Sequence, residues 1–294
     1  MRWLAPGVPT VPALSMQPVE CLAIPSDPEE AYKVELGRAA FRTPLLLGGQ
    51  AARAGVACET CHRNGRTNPD FDFPGVSGAP GTADVTSSLF SSHRGDGVDN
   101  PRPIPDLGGP RDKLKVSQVR EGRALETFIH GLVTQEFDGP EPPPAVLDGL
   151  AAYVRAMGPQ ACPRAGFEPV TLAGAVEDAR RAVRAAQAAL ARGDRPAAAL
   201  MVEAARSRLG LVNERYAGPE LEPERRSLAG ADRNLSDILS RIRAGDPGAS
   251  RGLDAWLARS NDWSAALQRR ARLSLYDAAR LRRLAVTGAS GRPN

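Results

Sequence analysis

Apolar positions recur at helical spacing in three stretches of the first half of the chain. Tyr32, Leu36 and Ala40 share one face of a helix that Ser26 and Glu29 open as a capping box, with Pro28 in the first turn and Thr43-Pro44 at its end. Leu45 to Leu47 and Gly48-Gly49 lead into a short second helix. Leu125, Ile129, Leu132 and Val133 predict a helix over about 123–136, which stops before Asp138-Gly139-Pro140. Val146, Leu150, Tyr153, Val154 and Met157 predict another over about 145–157, stopped by Gly158-Pro159.

Near Gly166 alanine, arginine and leucine take over. Breaks at Gly193-Asp194, Gly218-Pro219 and Gly245-Asp246-Pro247-Gly248 divide the remainder into helices of roughly 172–192, 196–215, 222–244 and 249–285, the last broken. Short links between them predict an antiparallel helical bundle. The periodicity lapses at residues 1–25, expected to be an extended proline-rich arm, and over about 64–110, a loop anchored by Phe71, Phe73, Val76, Leu89 and Phe90. The expected organisation is all-α: an arm over 1–25, a loop-rich domain over 26–165 and a bundle over 170–290.

Charge sharpens that division. Residues 1–169 carry a net minus 4 and residues 170–294 a net plus 8, together the plus 4 of the whole chain. The basic residues lie dispersed over helices without aromatic platforms, which argues against nucleic acid and for a solvated arginine-rich surface. No apolar run is long enough to span a membrane. The apolar stretch 3–16, preceded by Arg2, is broken by Pro6, Pro9 and Pro12 and is short for a secretory leader.

The densest chemistry is Cys58-Glu59-Thr60-Cys61-His62. Two cysteines two residues apart and followed at once by histidine form the attachment pattern for c-type haem. On one helical turn both thiols reach the vinyl groups of one porphyrin edge, and the imidazole then binds the iron. A thioredoxin-type redox pair would want a preceding strand, and a zinc site a further ligand pair. The pattern therefore implies one covalent haem c held by Cys58, Cys61 and His62. Such haem is attached outside the cytoplasm, so the remaining Cys21 and Cys162 are expected to form a disulfide in a periplasmic or otherwise exported protein, the alternative being two separate buried thiols.

With this motif, the preceding Leu36-Gly37-Arg38-Ala39-Ala40-Phe41-Arg42 and the following Pro105-Asp106-Leu107-Gly108-Gly109, residues 30–157 resemble the bacterial di-haem cytochrome c peroxidase family, including its MauG-like members. The resemblance implies a cytochrome c fold in which helices 26–42 and 145–157 cross. This chain has one attachment motif where the family has two. In the stretch Ser117-Gln118-Val119-Arg120-Glu121-Gly122-Arg123, Val119 and Arg120 occupy the places where the family often carries a distal methionine or histidine.

Distal iron ligands are scarce. No methionine lies between His62 and Met157, and Met157 ends an amphipathic helix where packing is its expected role. His130 is the candidate distal ligand, and His93 in the Ser91-Ser92-His93-Arg94 loop the alternative. With an open iron face, Gln135 and Glu136 become candidate distal groups, the carboxylate moving a proton between peroxide oxygens. The loop acids Asp70, Asp72, Asp84, Asp96 and Asp99 are a candidate calcium site, without a twelve-residue calcium loop.

The expected function is that of an exported mono-haem c-type cytochrome passing single electrons to or from a redox partner protein, with the bundle as a docking or homo-oligomerisation module. The alternative is a haem peroxidase or oxidase with an open distal site. A third reading makes the haem a structural or sensing element of a binding protein.

Overall fold

The computed structural model describes residues 3–95, 97–162 and 166–289. Among them helices dominate, and strands are confined to short pairs. The chain divides into two compact units, the first Met1–Val8 with Gln17–Glu168 and the second Pro9–Met16 with Pro169–Asn294.

The N-terminal segment is not the extended arm that its prolines suggest, because Thr10–Ser15 forms helix α1. Pro9 takes the cap position and Pro12 falls in the first turn, where no amide is needed for the helix ladder. Ser15 Oγ then donates to the Val11 carbonyl at 2.7 Å.

In the first unit, α2 (Pro28–Phe41) is capped by Asp27 rather than Ser26. The Asp27 carboxylate accepts the amide of Glu30 at 2.9 Å, and Pro28 occupies the first helical position. Short helices α3 (Gly49–Arg53) and α4 (Cys58–Cys61) follow. Helix α5 (Ala124–Gly131) continues as a π-helical turn, Leu132–Glu136, and α6 (Pro144–Ala156) closes the unit.

Helices α2 and α6 pack closely together, and glycines set their approach. A Cβ on Gly37 would collide with the Gly149 carbonyl, and one on Gly149 would lie 2.9 Å from Lys33 O and Gly37 N. Around this contact Leu36, Ala40 and Phe41 are buried, as are Val146, Leu150 and Tyr153. Phe41 meets Tyr153 edge-on, ring centroids 5.1 Å apart.

The long segment between α4 and α5 is fixed by local turns and by aromatic packing. Phe71, Val76 and Phe90 are buried, Phe73 is half-buried and Leu89 is exposed. Phe73 lies between Trp3 and Phe90 at centroid distances of 4.1 and 5.0 Å, and Phe90 reaches Phe137 at 5.5 Å. Cys21 and Cys162 stand at disulfide distance, their Cα atoms 4.7 Å apart across 141 residues of sequence.

The second unit contains α7 (Leu172–Ala191), α8 (Arg195–Arg215), α9 (Glu222–Ala244), α10 (Ala249–Arg270) and α11 (Ala278–Ala289). Alanines at 179, 182, 186 and 189 on α7 and at 197, 198 and 205 on α8 are fully buried in this helical bundle, and their small side chains allow close approach. Helix α9 packs on α8, and α10 on both α9 and α7. Trp256 anchors this core by donating Nε1–H to the Ala231 carbonyl at 3.0 Å. The last expected helix is broken because Ser274 Oγ donates to Ala271 O at 2.7 Å and accepts the Tyr276 amide at 3.2 Å, competing with the helix ladder. No described helix is long and apolar enough to cross a membrane.

Candidate functional site

The motif cysteines open and close a single helical turn. Thr60 Oγ1 accepts the Ala57 amide at 2.9 Å at the start of α4, and the His62 amide bonds back to the Cys58 carbonyl at its end. The chain then enters a tight hairpin in which His62 pairs with Thr67 and Arg63 with Arg66. Its corner is Asn64-Gly65, at φ of 51° and 73°. Positive φ at both central positions is what the right-handed twist of a two-residue hairpin demands. Asn68 secures the turn from the far side, its amide on Cys61 O at 3.1 Å and its Nδ2 on Thr60 O at 2.9 Å.

Against this hairpin lies Pro105-Asp106-Leu107-Gly108-Gly109. Arg66 grips the Asp106 carboxylate with two hydrogen bonds of 2.7 and 2.8 Å, and the Leu107 amide donates to Gly65 O at 3.0 Å. The Pro105 carbonyl thereby comes 3.0 Å from His62 Nδ1. A carbonyl can only accept, so Nδ1 carries the proton and Nε2 is left with its lone pair. Burial lowers the His62 pKa to about 4, against the opposing pull of the Pro105 bond and Asp106, which keeps the ring neutral. Cys58 and Cys61 are free thiols, and burial pushes both up to about 12. A nucleophilic thiol pair works with the opposite shift.

A buried polar network backs the turn. Arg42, 5% exposed, reaches Glu20 Oε1 at 2.9 Å, Asn64 Oδ1 at 3.0 Å and, through Nε, the Glu59 carboxylate at 3.0 Å. Tyr153 donates its hydroxyl to the same Glu20 oxygen at 2.6 Å, and Arg38 pairs with the other. Asn64 Nδ2 ties the hairpin corner to Pro18 O at 2.9 Å. Burial alone would raise the Glu20 pKa; the Arg42 and Arg38 cations and the Tyr153 hydroxyl outweigh it and hold it at about 2.

The other candidates occupy several separate settings. His130 is half-exposed and its Nε2 faces the Glu141 carboxylate at 2.9 Å. His93 is exposed in the loop that Ser91 Oγ caps. Gln135 Oε1 accepts from Arg94 at 2.8 Å, and Glu136 Oε1 lies 3.4 Å from the same guanidinium, while Glu136 Oε2 is buried without a hydrogen-bond partner among the described residues. Met157 is fully buried, with its thioether against Gly65.

Of the loop acids, Asp84 spends both oxygens on local donors, Oδ1 on Thr86 at 2.6 and 3.0 Å and Oδ2 on the Asn100 amide at 3.2 Å. Asp96 lies outside the described residues. Among those described, no group of three or more His, Cys, Asp and Glu side chains is placed to hold a metal ion.

Sequence reasoning missed the roles of Asn64-Gly65, Pro105 and the Arg42 network. An Asn-Gly pair is a readable hairpin signal. The Pro105 contact is made by a backbone oxygen, and Glu20 and Tyr153 are too far apart in sequence for any local pattern to pair them.

Comparison with models of known families, with curated proteins and with solved structures finds no match to this chain.

Proposed function

We propose that the first unit is a c-type haem domain of cytochrome c architecture, related to the di-haem peroxidase family, and that the protein is an exported one-electron carrier. The observation that carries this reading is the Nδ1 bond of His62 to Pro105, next to two free thiols on the preceding turn. It fixes the tautomer and leaves the Nε2 lone pair available, which a histidine that would hold haem iron requires. Haem, when bound, would supply a ferric–ferrous couple. Cys58 and Cys61 would each add S–H across a vinyl group, fixing the porphyrin edge to α4, while the Pro105 carbonyl sets the donor strength of His62. The basic second unit is assigned the docking of a redox partner protein or of a second copy of the chain.

The test is expression of the full chain in a host with haem c maturation enzymes. Haem that stays on the polypeptide after denaturation, in wild type and not in Cys58→Ala/Cys61→Ala, is the expected result. A chain that carries no covalent haem under those conditions overturns the reading.

A second reading, peroxide chemistry at an open iron face, draws on the Glu136 carboxylate, whose buried Oε2 has no hydrogen-bond partner among the described residues. Rapid carbon monoxide binding by the ferrous protein, and a peroxide response lost in Glu136→Gln, would favour it. A low-spin spectrum indifferent to both reagents favours electron transfer.

A further inference from the structure

Away from the thiol turn, the end of α6, one flank of α2 and the segment 111–120 line a half-open pocket of about 340 Å³. Its lining includes Pro25, Val34, Ala152 and Ala156 together with Arg111, Arg120 and Arg155. Two of these cations are already matched. Arg155 holds Glu126 with bonds of 2.7 and 3.0 Å, and Arg120 holds Glu30 at 2.6 Å.

Among the described residues Arg111 has no carboxylate partner. Its Nη2 donates to the carbonyls of Arg155 and Met157, the latter at 2.8 Å, and its Nη1 to Gln118 Oε1 at 3.3 Å. Arg111 is an exposed residue; partial burial of its guanidinium, and then the neighbouring Arg155 cation, lower its pKa. The carbonyls it caps end a helix, and a helix C-terminus offsets only about half a charge. What remains suits one negative charge and would leave a second uncompensated.

We propose that this pocket binds a small monocarboxylate with an apolar body, the carboxylate on Arg111 and the hydrocarbon against Val34 and Ala156. A guanidinium presents paired donors that match a carboxylate. At about 30 Å³ per water-sized group, the volume holds on the order of ten such groups. That is room for a short aliphatic acid. The inference is independent of haem attachment.

Calorimetric titration of the full chain with hexanoate, acetate, hexylamine and inorganic phosphate tests it. Hexanoate is expected to bind at least about tenfold more tightly than acetate, since its longer hydrocarbon chain buries more apolar surface. Hexylamine should give no heat. Arg111→Gln is expected to weaken hexanoate at least about tenfold, with Arg111→Lys recovering part of the loss. Because Arg111 also tethers two carbonyls, Ala156→Leu provides a second probe that fills the apolar wall and leaves the guanidinium in place. It should weaken hexanoate with an unchanged melting temperature. Phosphate binding as tightly as hexanoate, hexanoate giving no heat, or hexanoate binding fully retained in folded Ala156→Leu would each overturn the proposal.

Discussion

His62 donates its Nδ1–H to the backbone carbonyl of Pro105, 3.0 Å away. The acceptor is main chain, so no side-chain replacement removes it; what can be removed is the clamp that holds it, the two-bond pair of Arg66 and Asp106. Arg66→Ala is expected to cost about 1.5–3 kcal/mol in urea denaturation, the range for hydrogen bonds to charged groups. In haem-loaded protein it should also raise the reduction potential, because a weaker Nδ1 bond makes the imidazole a poorer donor. A potential that stays fixed while stability falls would limit Arg66 to a structural role.

The contact of α2 with α6 allows no side chain at Gly37, whose Cβ would meet backbone rather than a movable side chain. Gly37→Ala is expected to destabilise the first unit by about 3 kcal/mol or more, or to prevent its folding. Gly210, in the middle of α8, has open space where its Cβ would stand. There the same change should stabilise by up to about 1 kcal/mol. Chemical denaturation of both variants checks the contrast, and equal effects would contradict the close contact of α2 with α6.

Glu20 links pH to stability. Its folded pKa of about 2 lies below the ordinary 4.5. Its contribution is therefore fully present above about pH 4.5 and lost as pH falls toward 2. The shift corresponds to on the order of 3 kcal/mol. Glu20→Gln should flatten this acid limb and, by leaving Arg42 buried with one partner fewer, cost about 3–5 kcal/mol at neutral pH. The check is urea denaturation from pH 6 to pH 2.5. A constant gap between the two proteins across that range would show that Glu20 does not titrate as described.

Removal of the bond between Cys21 and Cys162 is expected to cost about 2–5 kcal/mol. The double variant Cys21→Ser/Cys162→Ser and reductant-treated wild type should show the same loss in thermal melts. A loss confined to the reductant would point to some other thiol chemistry.

Much of the helical framework was legible because it is written in local terms. Leu125 and Ile129, or Val146 and Leu150, declare a buried face within one or two turns, and Gly245-Asp246-Pro247-Gly248 declares an end. Local terms also set the errors. Ser26 and Asp27 are both good caps, and only the backbone geometry selects Asp27. Three prolines in the first dozen residues argued for extension, yet Pro9 and Pro12 both fall where a helix tolerates them.

At the candidate site the two thiols and His62 announce themselves by spacing. Their support does not. Glu20, Arg42, Asn64 and Tyr153 come from four separate parts of the chain, and the Pro105 oxygen has no residue signature at all. Gly37 and Gly149 look like weak points in two helices until the helices are seen in contact.

The cysteine pair also makes the first unit a covalent ring. The segment between Cys21 and Cys162 carries α2, the thiol turn, the long loop and α6, and its two ends are joined. A protease that cuts once after Arg94 would therefore open the ring without releasing a fragment. Such a protein would run as one band without reductant and as two with it, and the half bearing Cys58 and Cys61 would stay tied to the half bearing Pro105.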